Sequence, residues 1–254
     1  MEAAVIVACG GTGARFREKT SCSTVEGEST GKEIPEKQFI MLAGKPVLAH
    51  TLDVLERHPD VGFVILILSE QQLNRGKSLV SGLWPEGQST RYQKVKAVLP
   101  GGSDRQASVA KGISALADYG WQGPVLIQDG VRPCTSGQVY DRVIKGVLVN
   151  GNAVAAIRLR DTVKRADIDG VVQETLDRRE LWQIQTPQGF WMRDLQEAYD
   201  EGLRLGLKVT DDAALVEALG RKVHLVEGDP ANIKLTYPED AVVLEAFLLK
   251  GIHL

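Results

Sequence analysis

Apolar, largely β-branched runs recur along the chain at 3–8, 61–68, 94–99, 124–128, 153–159 and 222–226. Most are apolar at consecutive positions rather than at every second one, the pattern of strands covered on both faces. Helical signals lie between them. Pro46 can occupy the first turn of a helix through about Arg57, and Ser103 or Asp104 can cap one reaching about Asp118. Pro238-Glu239-Asp240 opens a last helix ending near Lys250. Alternation of strand and helix over the first half predicts a doubly wound α/β sheet, in which ligands bind at the carboxyl ends of strands.

Two segments break the pattern. Residues 17–36 are polar, rich in Glu, Lys, Ser and Thr, and carry Gly27 and Gly31, so they read as a mobile loop. From Asp161 to Leu176 the residues alternate around Asp169-Gly170, a hairpin signal. A polar hairpin leaving a compact sheet is suited to reaching a second subunit. Thr210-Asp211-Asp212 reads as a helix start capped by Thr210. Asn232-Ile233-Lys234-Leu235-Thr236 alternates, with Lys234 on the polar face.

The chain has 254 residues, 43% apolar and 25% charged, with a net charge of −3. That balance argues against a broad basic nucleic-acid face and leaves room for a local pocket of Arg and Lys that holds a small anion. Cys9, Cys22 and Cys134 are too few and too scattered for a disulfide framework or a zinc site, which fits a reducing cytosol. No apolar stretch approaches the length of a membrane span. The N-terminus enters a strand directly, without a signal-like prefix, so a cytoplasmic location is expected. The four histidines have no metal-ligand spacing.

The first strand empties into Cys9-Gly10-Gly11-Thr12-Gly13-Ala14-Arg15. Glycines let the backbone approach phosphate oxygens with its N–H groups, and Arg15 adds a fixed charge. A plain strand-to-helix turn is the competing explanation. A Walker loop is excluded because Gly13 is followed by Ala14-Arg15 rather than Lys-Ser/Thr. A dinucleotide fingerprint is excluded because Phe16 occupies the third glycine position and no strand with a terminal acid follows about 20 residues on. Further along, Gly101-Gly102-Ser103 starts a helix that carries Ser108, offering a second set of donors for a base and ribose. Ser108 lacks the Gly-x-Ser-x-Gly frame of a hydrolase nucleophile. Asp129 ends an apolar strand, a costly place for a carboxylate unless a cation, hydroxyl or metal-bound water meets it.

These motifs fall in a fixed order: Gly-Gly-Thr-Gly-x-Arg15, Lys37-Gln38, Gly102-x-x-Arg105-x-x-Ser108-Val109, Asp129-x-x-Arg132-Pro133, Arg160-Asp161-Thr162-x-Lys164, Asp177-Arg178-x-x-Leu181-Trp182, Gln185-Thr186-Pro187-Gln188, Thr210-Asp211-Asp212 and Asn232-Ile233-Lys234. The ordered set closely resembles the 2-C-methyl-D-erythritol 4-phosphate cytidylyltransferases, from Ala4 to about Ile252. The resemblance implies a Rossmann-like, mostly parallel nucleotidyltransferase sheet forming a single domain over 1–254, with a projecting β-hairpin arm at 160–180 that clasps a homodimer. It also implies Mg²⁺-dependent transfer of CMP from CTP to a polyol phosphate. No dedicated metal ligand is expected, since the ion would be held mainly by the CTP phosphates.

By match of position, Cys9, Gly10, Gly11, Gly13, Gly102, Ser103, Ser108 and Asp129 would contact the nucleotide. Arg15, Lys37 and Lys234 would be the catalytic cations, with Arg15 and Lys37 on the triphosphate. Asp129, Arg132, Thr162 and Lys234 would face the methylerythritol phosphate, joined by Arg178 and Thr186 from the other subunit's arm. The attacking phosphate monoester has a second pKa near 6 and is already largely a dianion at neutral pH, so no general base is needed. The rivals are a ribitol 5-phosphate or other polyol-phosphate cytidylyltransferase, and a protein that binds CTP without turning it over.

The chain departs from the family pattern in places. Residues 16–36 separate Arg15 from Lys37, where the family normally has only a handful. Cys9 stands where alanine is usual, Ser103 where an acid is common, and Gln128-Asp129-Gly130 where His-Asp-Ala is frequent.

Overall fold

Residues 1–9, 16, 36–84 and 91–251 are described in the structure, a computed structural model. Gly10, Gly11, Gly13 and Arg15, and the expected loop at 17–36 apart from Glu36, lie outside them. The apolar runs become β1 (Ala3–Ala8), β4 (Val61–Leu68), β5 (Val95–Pro100), β6 (Pro124–Asp129), β7 (Asn152–Arg158) and β11 (Leu225–Glu227). With β10 (Trp182–Trp191) they form a seven-stranded sheet in the order β11-β7-β10-β6-β1-β4-β5. Within this sheet β10 runs against its neighbours; the other pairings are parallel. The mixed but mostly parallel α/β sheet is the one expected. A small hairpin, β2 (Met41–Leu42) and β3 (Lys45–Pro46), precedes the first described helix.

Seven helices are described: α1 (Val47–Arg57), α2 (Leu73–Val80), α3 (Arg105–Asp118), α4 (Gly137–Asn150), α5 (Met192–Arg204), α6 (Ala213–Ala218) and α7 (Pro238–Lys250). The central strand explains the run of consecutive apolar residues. Val5 and Val7 pack with Leu48 and Leu52 of α1 and Val143 and Val147 of α4. Ala4 and Ile6 pack on the other face with Val109 and Ile113 of α3 and Leu195 and Tyr199 of α5. Both faces of β1 are therefore covered, and burial of each Val or Ile is worth ~1.5–3 kcal/mol.

The chain steps outward from β1 through β4 to β5 and then crosses back to β6, on the far side of β1. That reversal is the switch point of the sheet, where loops splay apart and leave a crevice. Registry pairs Ala8 with Asp129, so the end of β1 and the end of β6 open side by side into it.

β10 has no counterpart among the apolar runs. Its Gln183, Gln185, Thr186, Pro187 and Gln188 argue against a central strand, because proline donates no ladder hydrogen bond. The sheet accommodates Pro187 in an irregular stretch where pairing with β7 jumps from Ile184 to Gln188. Nor does Thr210 cap a helix: α6 begins after Asp212, and Asp211 Oδ1 accepts from the Ala214 N–H at 3.3 Å. Residues 232–236 form no strand, although the Leu235 N–H bonds to the Val131 carbonyl at 2.9 Å.

The hairpin read from Asp169-Gly170 is present as β8 (Val163–Ala166) and β9 (Val172–Leu176), a two-stranded sheet separate from the main one. Gly170 takes φ +83°, and Asp167 Oδ1 accepts from the N–H groups of Asp169 and Val171. Ile168 at its tip is fully exposed, as are large parts of Val171 and Val172.

Candidate active site

All of β6 is buried, and Asp129 at its end is only 5% exposed. An unpaired carboxylate there would be strongly unfavourable. Three cations meet it: Lys234 Nζ at 2.9 Å, Arg132 Nε at 3.3 Å and Arg105 Nε at 3.4 Å. Burial alone would raise the Asp129 pKa, but Lys234, Arg105 and Arg132 together outweigh it and hold the carboxyl well below the usual range. Asp129 is thus a permanent anion and an acceptor only.

Each cation is held from a different part of the chain. Arg105, at the start of α3, donates through Nη2 to Asp212 Oδ2 at 2.7 Å, and the Tyr199 hydroxyl donates to the other oxygen of Asp212 at 2.5 Å. Burial would lower the Arg105 pKa, but Asp212 and Asp129 more than reverse this, so the guanidinium stays charged. Arg132 donates through Nη1 to the Asn232 carbonyl at 2.7 Å. Asn232 is fully buried; its Nδ2 donates to the Thr186 carbonyl at 2.8 Å, and its Oδ1 accepts from Thr135 Oγ1 at 2.8 Å. Asn232 thereby ties the segment that carries Lys234 to the sheet.

Around this cluster lies a cavity of about 460 Å³, lined by Arg105, Asp129, Arg132, Thr186, Gln188, Asp211 and Lys234 among others. Gln188 braces its floor: Nε2 donates to Asp211 at 2.8 Å, and Oε1 accepts from the N–H groups of Asp212 and Ala213 at 3.1 and 3.0 Å.

On the β1 side, the Cys9 thiol is buried and its pKa is pushed up to about 12, first by burial and then by Asp129, with Lys37 pulling the other way. Lys37 and Asp129 therefore both stand within electrostatic reach of the strand end where the glycine loop begins. Gly130 follows Asp129, and a Cβ there would fall 2.1 Å from Cys9 Sγ. After β5, Gly102 packs so tightly on the first turn of α3 that a Cβ would lie 2.5 Å from that of Ala107. Ser108 is fully buried; its hydroxyl accepts from the Gly102 N–H at 3.0 Å and donates to the Asp104 carbonyl at 2.7 Å, which shapes the loop. Asp104 caps α3 by accepting from the Ala107 N–H, and exposed Ser103 bonds to the Asp104 carboxylate.

The structure thus brings Asp129, Arg132, Thr186 and Lys234 into one cavity, with Cys9 at the neighbouring strand end and Lys37 within electrostatic reach of Cys9. Thr186 was expected to arrive on the arm of the other subunit. It belongs instead to β10 of the same chain, where its Oγ1 accepts from the Asp129 N–H at 3.1 Å. Thr162 and Arg178 do lie on the arm, exposed and outside this chain's cavity, with Arg178 donating to the Arg160 carbonyl. Gly102-x-x-Arg105, Gln185-Thr186-Pro187-Gln188 and Thr210-Asp211-Asp212 were visible as motifs, yet nothing in them shows that Arg105 bridges Asp129 to Asp212.

A magnesium ion prefers carboxylates with free oxygens, substrate phosphates and water. Asp129 already meets three cations, so the protein offers little direct ligation at this point; an ion riding on phosphate oxygens fits better. The one His/Asp cluster of metal-like geometry among the described residues is His58, Asp60 and Asp141. It sits where β4 begins, at the other end of the sheet, and both ring nitrogens of His58 are engaged, by the Asp60 N–H and by the Gly137 carbonyl and Asp141.

A doubly wound sheet whose first strand ends at the switch point just before a glycine-rich stretch of sequence, with a buried strand-end aspartate and a ring of cations, defines an α/β nucleotidyltransferase. A sequence model of the 2-C-methyl-D-erythritol 4-phosphate cytidylyltransferases matches residues 4–250. The protein of that name from Dehalococcoides mccartyi strain CBDB1 is 41% identical over 225 residues, 89% of this chain and 93% of its own. Among solved structures, the 2-C-methyl-D-erythritol 4-phosphate cytidylyltransferase of Thermus thermophilus superposes with a TM-score of 0.72 at 29% identity, covering 97% of this chain and 98% of its own. The 4-diphosphocytidyl-2C-methyl-D-erythritol synthase of Anaerococcus prevotii gives 0.77 at 28% identity, covering 98% and 96%. The chain belongs to the 2-C-methyl-D-erythritol 4-phosphate cytidylyltransferase family.

Proposed function

We propose that this protein transfers CMP from CTP to 2-C-methyl-D-erythritol 4-phosphate, giving 4-diphosphocytidyl-2-C-methyl-D-erythritol and pyrophosphate in isoprenoid biosynthesis. The observation that carries this reading is the buried Asp129 carboxylate ringed by Lys234, Arg132 and Arg105 beside the end of β1. A phosphate oxygen of the acceptor attacks the α-phosphorus of CTP; the new P–O bond forms as the bond to the β-phosphate bridge breaks, and pyrophosphate leaves. No proton need be removed, because the acceptor phosphate is already a dianion near neutrality. The protein's task is to hold two polyanions in line and neutralise the growing charge. Lys234 and Arg132 hold the acceptor phosphate, Asp129 accepts from the polyol hydroxyls, and Arg15 and Lys37 neutralise the triphosphate. A magnesium ion, if held by the CTP phosphates, would add charge neutralisation beside these side chains.

The protein acts as one domain and as a homodimer in the cytoplasm. The exposed arm with Ile168, Val171 and Val172 supports the dimer, as does the placement of Thr162 and Arg178 on that arm, outside their own chain's cavity. No helix among the described residues is long and apolar enough to cross a membrane.

Pyrophosphate release tests the reaction, with CTP, Mg²⁺ and either 2-C-methyl-D-erythritol 4-phosphate or ribitol 5-phosphate. Turnover with the first and little with the second is expected. Turnover with ribitol 5-phosphate alone, or CTP binding without pyrophosphate from either acceptor, would overturn the assignment.

A further inference from the structure

Lys37 opens a short 3₁₀ turn, Lys37–Phe39, whose next two residues are both only 2% exposed. Gln38 Nε2 donates to Gln72 Oε1, a buried side chain between β4 and α2, and lies 3.5 Å from the Cys9 carbonyl oxygen. Phe39 meets Trp84 edge to face, with centroids 5.7 Å apart at 84°. Arg75 of α2 lies against both rings, its Cζ 4.8 Å from the Phe39 centroid and 4.2 Å from that of Trp84. Among the described residues Arg75 forms no ion pair, so these rings are its main partners. The turn between β4 and α2 stands next to the strand that feeds the glycine loop, since the Cys9 N–H bonds to the Ile67 carbonyl at 2.9 Å.

Residues 16–36 separate Lys37 from Arg15, and a connection of that length can span tens of ångströms, at ~3.3 Å per residue. It does not by itself set where the lysine falls. A lysine is also a point charge on a flexible stem, so the position of its backbone governs where the ammonium can act. Gln38 and Phe39 follow it directly, and both are held from the β4–α2 side.

We propose that Arg75, with Trp84 and Gln72, is a positioning clamp for Lys37: the guanidinium pins Phe39 against Trp84, Gln72 pins Gln38, and the turn presents the ammonium to the triphosphate. The clamp rests on the assignment of Lys37 made above. Displacement of a reacting group by about 1 Å can cost on the order of a hundredfold in rate, which makes such a clamp visible in turnover.

The test is a double-mutant cycle on purified enzyme, following pyrophosphate release with CTP, Mg²⁺ and 2-C-methyl-D-erythritol 4-phosphate. Arg75→Ala is expected to lower kcat by about 10- to 100-fold with the KM for the polyol phosphate unchanged, and Arg75→Lys to recover part of the loss by keeping a cation on the rings. In a Lys37→Ala background, Arg75→Ala should add less than about a twofold loss, because the group it positions is gone. Trp84→Phe, which keeps a ring, should stay within about threefold of wild type, whereas Trp84→Leu should fall with Arg75→Ala; this pair keeps the test informative if Arg75→Ala folds poorly. Equal fold losses from Arg75→Ala in both backgrounds, or wild-type kcat in both Arg75→Ala and Trp84→Leu, overturn the clamp while leaving the role of Lys37 intact. Wild-type turnover in Lys37→Ala removes that role, and the clamp with it.

Discussion

Replacing Gly130 by alanine tests whether two departures at the strand ends are a single exchange. The new Cβ falls 2.1 Å from Cys9 Sγ, 3.0 Å from Val7 Cγ1 and 3.2 Å from Leu48 Cδ1. Contact distances for such atoms are ~3.5–4.0 Å, so the sulfur must retreat by about 1.5 Å. It has no room to do so, because Cys9 is 6% exposed and Val7 and Leu48 are fully buried. The substitution should therefore cost ~1–3 kcal/mol. Cys9→Ala, which deletes one buried heavy atom, should cost ~0.5–1.5 kcal/mol. In the double variant the methyl introduced by Gly130→Ala enters the space the sulfur vacates, and the combined cost should fall to ~1 kcal/mol or less, a coupling of about 2 kcal/mol. Urea unfolding measures this as a shift in midpoint at constant slope. Pyrophosphate release should follow the same order, because the Gly130 N–H bonds to the Ala8 carbonyl at 3.2 Å, one residue before the glycine loop is reached. Single-variant costs that add to the double-variant cost within ~0.5 kcal/mol would refute the exchange.

Two further outcomes follow from the charges of the site. Asp129 has a lowered pKa in the fold, so its contribution to stability is present above the unfolded carboxylate value of ~3.9 and lost as pH falls through the folded value. Asp129→Asn should accordingly be destabilised relative to wild type by a constant amount between pH 5 and 8, with the gap in melting temperature narrowing below about pH 4; a gap that widens on acidification would contradict the sign. The thiols of Cys9 and Cys134 are both pushed up to about 12, mainly by burial and further by Asp129 and Asp229 respectively. Iodoacetamide at pH 8 should leave both unmodified in the native protein by peptide mapping and modify both in urea, and alkylation of native Cys9 at the rate of a free thiol would show that the strand end is open.

The sequence discloses those parts of the fold where local chemistry and tertiary environment agree. β1, β4 and β6 are apolar at nearly every position because helices cover both faces, and Asp169-Gly170 turns a hairpin because glycine accepts φ +83° there. β10 could not be read in this way. Its polar residues pair with groups far away along the chain, Gln185 with the Asp229 carbonyl and Gln188 with Asp211, so they serve as internal braces and leave no periodic trace. Within the site, Asp129 and Arg132 are three residues apart and legible as a unit. Arg105 and Asp212 are 107 positions apart, and their bond follows only from the packing of α3 against α5 and α6. Cys9 and Gly130, two separate departures in the sequence, become one question only when parallel pairing sets Ala8 opposite Asp129.

The charge balance of the cavity bears on how it can select an acceptor. Arg105 is compensated by Asp212 as well as Asp129, which leaves Lys234 and Arg132 sharing one buried carboxylate. The surplus of positive charge is small, and a phosphate dianion entering the cavity competes with Asp129 for both cations. Binding therefore exchanges partners more than it adds attraction, and a free phosphate that offers the carboxylate nothing in return gains little. On the assignment proposed above, a polyol phosphate would offer more, because its hydroxyls would donate to Asp129 as its phosphate drew Lys234 and Arg132 away, so no charge would be left buried and unsatisfied. On that assignment selectivity would reside in the spacing between phosphate and hydroxyls, which would have to match the separation of the cations from the carboxylate. Such a site would discriminate strongly against an analogue that lacks a hydroxyl at the right distance, since the penalty is a buried, ionised Asp129 left with Arg105 alone rather than one lost contact.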